Sequence, residues 1–87
     1  MLDYRRLAAA VRRAIDRGER LAEGMVDSLV RVNPDLYEAY ALQGDYFCRQ
    51  GDPERAVRAW RAALDREIPR RNQREEIRRK IERYDTK

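Results

Sequence analysis

The sequence has no histidine, one cysteine (Cys48), one serine (Ser28) and one threonine (Thr86) in 87 residues. Without histidine a Ser-His-Asp arrangement cannot be assembled, and Cys48 has no imidazole to draw off its proton. Lacking histidine and a second cysteine, the chain also lacks the usual ligands of a structural zinc and the means to form an internal disulfide. The four glycines, Gly18, Gly24, Gly44 and Gly51, stand too far apart to cradle a phosphate. Neighbouring carboxylates (Asp35/Glu38, Asp65/Glu67, Glu75/Glu76) lie beside arginines and read as solvated ion pairs. No run approaches the ~18 apolar residues of a membrane span, and "MLDYRR" has no apolar secretory core. The expectation is a non-catalytic, cofactor-free, metal-free protein of the cytoplasm.

Lysine is scarce too: Lys80 and Lys87 are the only two among 20 basic residues, so the net charge of +4 is almost wholly arginine. Arginine suits bidentate recognition of carboxylate or phosphate; a codon bias toward arginine reads the same way. What is abundant is 43% hydrophobic and 41% charged residues, the division of a helix-rich protein into apolar stripes and solvated faces.

The stripes recur at helical spacing. Leu7, Ala10, Val11, Ala14 and Ile15 mark a helix from Leu2 to Asp16, stopped by Gly18. Leu21, Ala22, Met25, Val26, Leu29 and Val30 restart the period until "VNPD"; one long helix interrupted at Gly18 is the competing reading. Asn33 as cap and Pro34 at the first position predict a third helix from about Pro34, ended by Gly51. Asp52 and Pro53 open a fourth, which runs to about Glu67 before Pro69. Asn72 and Glu75 have the spacing of a capping box, predicting a fifth helix over 72–84 with Ile77, Ile81 and Tyr84 on one face.

The second and fourth segments superpose at an offset of 34 residues (Ala22 on Ala56, Val26 on Trp60, Leu29 on Ala63). The first and third superpose at 33 (Leu7 on Tyr40, Val11 on Gly44, Gly18 on Gly51). Such a period marks stacked helical hairpins. With Tyr40, Gly44, Phe47, Ala56, Trp60 and Ala63 in its places, residues 36–69 resemble a tetratricopeptide repeat (TPR), and 3–35 resemble a degenerate copy. Two departures from the pattern are Gln43, where the family has leucine, and a one-residue delay at Pro69. The resemblance implies an all-α single domain, two antiparallel hairpins stacked as a short solenoid, with 72–84 as a C-terminal capping helix.

It also implies a scaffold or adaptor that holds a peptide or partner helix in a concave groove. By this register the groove is lined by Arg5, Arg12 and Asp16 with Ala8 and Ala9 from the first pair, and by Glu38, Leu42, Asp45 and Arg49 from the second. Asp45 stands where the family's carboxylate clamp has asparagine, which argues against that particular ligand. Homodimerisation through an open end of the stack is a variant of this reading. An alternative is binding of nucleic acid or an acidic partner through Arg70, Arg71, Arg74 and Arg78, opposed by the interleaved Glu75, Glu76 and Glu82. A third is a helical accessory domain of a larger enzyme.

Overall fold

The computed structural model describes residues 3–22 and 24–85. They form five α-helices: α1 (Tyr4–Arg17), α2 (Met25–Val32), α3 (Tyr37–Arg49), α4 (Pro53–Leu64) and α5 (Arg71–Tyr84). Among the described residues there is no strand. Each helix packs on its neighbour in sequence along α1, α2, α3 and α4, with α5 against α4, and α1 also reaches α3. The molecule measures 36 × 28 × 18 Å; its shortest dimension is about two helix diameters.

The interruption at Gly18 ends α1. Gly18 adopts φ +67°, its N–H bonds to the Ala14 and Ile15 carbonyls, and the Glu19 N–H reaches Ala14 O at 2.9 Å. Gly51 repeats the device after α3 at φ +80°, with the Asp52 N–H on Phe47 O at 2.9 Å. The left-handed conformation at both points costs a residue with a Cβ about 1 kcal/mol or more. Asp3 and Asp52 then cap α1 and α4, accepting from the Arg5 and Arg55 N–H groups at 3.1 and 3.2 Å.

Four helix boundaries differ from those the sequence predicts. The start expected at Leu2 lies outside the described residues, and α2 begins at Met25 instead of near Leu21. Residues 19–22 are not helical, and the Leu21 N–H donates to the Tyr46 hydroxyl at 2.9 Å, which ties this segment to α3. The third helix starts at Tyr37, three residues after Pro34, whose carbonyl accepts from the Tyr40 hydroxyl at 2.9 Å and the Arg66 Nε at 2.8 Å. Helix α4 stops at Leu64: the Asp65 and Arg66 N–H groups tighten onto the Ala62 and Ala63 carbonyls, and Arg74 Nη1 takes Leu64 O. Helix α5 winds from the Arg70 carbonyl, which accepts from Gln73 and Arg74, so Asn72 lies within the first turn and the expected capping box does not form.

Helix α3 is the axis of the molecule because it is apolar on two sides. Ala39, Leu42 and Tyr46 join Leu7, Ala8, Val11, Ala14, Val26 and Leu29 in one core. Tyr37, Tyr40, Ala41 and Cys48 pack on the other, built from Ala56, Val57, Trp60, Ala63 and Ile77, while Phe47 touches both. Trp60 is 1% exposed, and burying so large a ring next to α3 requires Gly44 opposite it.

Candidate functional site

The residues that the TPR resemblance nominates for a groove fall on α1 and α3, and most are engaged within the molecule. Glu38 accepts from the Arg12 guanidinium and, at 3.3 Å, from the Tyr4 hydroxyl. Asp45 Oδ1 accepts from Trp60 Nε1 at 3.1 Å and from Lys80 Nζ at 2.9 Å, tying α3 to α4 and α5. Arg49 turns back to α1, where its Nε donates to Ile15 O at 2.9 Å. Leu42 and Ala8, expected on an open surface, are core residues at 8% and 1% exposure, members of one apolar cluster that joins α1, α2 and α3, and Glu38 and Arg49 on either side of Leu42 along α3 both reach α1. Arg5 and Asp16 are exposed, and neither side chain has a polar partner among the described residues. The hollow that remains here, between α3 and α5, is about 200 Å³ and includes Glu38, Leu42, Asp45, Gln73 and Lys80 in its lining.

Burial, reinforced by the negative charge and hydrogen bond of Glu38, pushes the Tyr4 hydroxyl up to about 12. Burial also raises Tyr37, with Glu38 and Glu76 adding to the effect. Arg66 is raised as well, chiefly by its hydrogen bond to Tyr40, whose ring it covers at 4.7 Å. All three groups keep their neutral-pH charge states, so these shifts prepare no acid or base for catalysis.

A larger opening lies elsewhere. Between the segment before α2 and helix α4, with α3 as its floor, is an open cleft of about 940 Å³. Its floor carries Tyr40, Gln43, Tyr46 and Phe47; Ala59 and Ala62, one helical turn apart on α4, form a smooth wall. Arginines 20, 55 and 58 and aspartates 27 and 52 stand around it. Asp27 accepts from Gln43 Nε2 at 3.1 Å, while Asp52 caps α4 and pairs with Arg55 at 3.5 Å. Arg55 in turn lies 5.6 Å from the centre of the Phe47 ring. Arg20 and Arg58 are exposed without a side-chain partner among the described residues.

Sequence reasoning missed this cleft by carrying the second helix back to Leu21. The signal was present: no Ser, Thr, Asp or Asn stands between Gly18 and Gly24 to cap a helix, and the residue that flanks α2 is Gly24, without a side-chain cap.

The alternative basic patch divides. Arg74 donates to Leu64 O and Arg78 pairs with Glu75 at 3.8 Å, whereas Arg70 and Arg71 are exposed without side-chain partners among the described residues. Cys48 is a half-buried free thiol at the edge of the second core. Among the described residues no group of three or more candidate metal ligands comes together, and no helix is long and apolar enough to cross a membrane. No family model, curated protein or solved structure matches the chain.

Proposed function

We propose that this chain is a non-catalytic protein-interaction module built from TPR-like hairpins, acting as a scaffold or adaptor in the cytoplasm. Support for the TPR-like reading comes from the order of packing, from the left-handed turn at Gly51 and from the fit of Trp60 against Gly44. The observation that carries the functional reading is the open cleft across α3, with an aromatic floor and a polar rim, the form in which a peptide or partner helix is held. Arg5 and Asp16 on α1 stay available to a partner outside the cleft, while Arg12, Glu38 and Asp45 serve first to join the helices.

The test is selection of random displayed peptides on the immobilised protein, followed by mapping of the enriched sequences through backbone amide shifts. Enrichment of a consensus that shifts residues of the cleft or of the α1/α3/α5 face supports the reading; failure to enrich any consensus refutes it. Light scattering behind size exclusion measures self-association alongside. A second reading, binding of nucleic acid through α5, is favoured by the unpaired Arg70 and Arg71. It requires a salt slope that falls when both are neutralised.

A further inference from the structure

The charges of the described residues around the cleft do not cancel. The two carboxylates of its lining are already engaged: Asp52 by the N-terminus of α4 and by Arg55, and Asp27, in the first turn of α2, by Gln43 of α3. Arg55 is engaged in the same way, through Asp52 and the Phe47 ring. What remains without a side-chain partner among the described residues, on opposite banks, is Arg20, in the segment before α2, and Arg58, on α4. Between them the surface is apolar or weakly polar, from the Phe47 and Tyr40 rings to the small side chains of Ala59 and Ala62. Among the described residues the cleft thus has two cations without partners flanking an apolar strip, and its volume of about 940 Å³ lies near the top of the ~300–1,000 Å³ range of ligand clefts.

Resting on the interaction-module reading, we propose that the cleft takes an acidic amphipathic helix, its apolar side laid on Phe47 and the Ala59–Ala62 wall and its flanking carboxylates on Arg20 and Arg58. The floor (α3) and one wall (α4) are helical, and among the described residues there is no sheet edge that an extended strand could join. Small residues at successive turns of α4 let a helix approach closely, and guanidinium groups on both banks match carboxylates on both flanks of the incoming helix. The same charges repel a basic segment, which gives the cleft a basis for choosing between partners.

The probe is a fluorescein-labelled synthetic peptide of about 15 residues, long enough to hold a helix, with Leu and Phe on one side and Glu on both flanks. Its partners are the same peptide with Gln, and with Lys, in place of every Glu. Anisotropy titrations are run against the unmodified protein and three variants. Arg20→Glu/Arg58→Glu should weaken the Glu peptide by about tenfold or more. Ala62→Arg should weaken it comparably although it adds positive charge, because the wall is then filled. Arg70→Glu/Arg71→Glu, an equal change of charge on α5, should leave binding within about twofold. Circular dichroism confirms helicity in each case, and the Arg20/Arg58 variant, altered only at exposed positions, decides the matter if Ala62→Arg does not fold.

Equal binding of the Gln peptide, or binding that survives Arg20→Glu/Arg58→Glu and is lost in Arg70→Glu/Arg71→Glu, overturns the inference. So does a set of library-selected peptides that map to the α1/α3/α5 face alone, and in that case the broader reading stands. Absence of binding by designed and selected peptides alike overturns both.

Discussion

Gly44 and Trp60 are matched by the absence of one carbon: a Cβ on residue 44 would stand 2.3 Å from Cδ1 and 2.4 Å from Nε1 of the indole. The ring has no room to retreat, being 1% exposed and hydrogen-bonded to Asp45. Gly44→Ala is therefore expected to destabilise the fold by about 1–3 kcal/mol through overpacking, although alanine is the better helix former by ~1 kcal/mol. Chemical denaturation followed by Trp60 fluorescence measures the balance, and a neutral or stabilising result would mean that α3 and α4 are farther apart.

Asp45 serves two donors at once, the Trp60 Nε1 and the Lys80 ammonium. Asp45→Ala leaves a buried indole N–H without an acceptor, at an expected cost of about 1–3 kcal/mol. Asp45→Asn keeps an acceptor for Trp60 and forfeits only the half-exposed ion pair, so its loss should be the smaller of the two. Equal losses in the two variants would show that charge, and not the acceptor, matters here.

Arg49 closes the C-terminal end of α1 by donating to Ile15 O at 2.9 Å, one of the last carbonyls of the helix, which the Gly18 N–H reaches only at 3.3 Å. Arg49→Ala should cost about 0.5–1.5 kcal/mol and raise amide exchange in α1 before that in α4. Uniform acceleration across the chain would argue that the bond does not act locally.

Tyr4 ties stability to alkaline pH. Its hydroxyl ionises near 10.0 in the ordinary case and near 12 in the fold. Between these values the unfolded chain releases the proton that the native state retains. The contribution is fully present below pH 10 and is lost as pH rises through about 12. Tyr4→Phe should flatten the fall in stability across that window and remove the last-titrating tyrosinate from the absorbance titration. An unchanged titration curve would place that late ionisation on another tyrosine.

Leu42 looks in the sequence like a residue with which to probe a binding groove, but its place in the first core changes what the experiment reads. Leu42→Glu puts an unpaired carboxylate among Leu7, Val11 and Leu29 and is expected to unfold the first hairpin, visible as lost helicity. Retained helicity with lost partner binding would return Leu42 to the surface.

The helical composition, the stops at Gly18 and Gly51 and the start at Asp52-Pro53 were legible because each rests on local chemistry, a glycine free to take positive φ or a carboxylate beside orphan N–H groups. Boundaries decided by distant partners were not. Pro34 and Leu64 lend their carbonyls to Arg66 and Arg74, and Leu21 lends its N–H to Tyr46, and no spacing in the sequence announces those pairings. The site suffered most for the same reason. Periodicity identified α3 as amphipathic, yet it is apolar on two sides, so the side assigned to solvent included Leu42. Arg12, Glu38 and Asp45 read as free groove charges until the tertiary contacts supplied their counterparts.

Phe47 is the joint between the molecule's two cores and also the floor of the cleft. Whatever settles there rests on a surface that exists only while the first hairpin is docked against α3. By mass action, occupancy then protects that docking: a bound chain lowers the population in which the first hairpin has swung away, and with it the exposure of α1 and α2 to proteases. On the proposed function, a partner would thereby stabilise the fold that receives it, and the resistance of that fold to proteolysis would follow the supply of the partner.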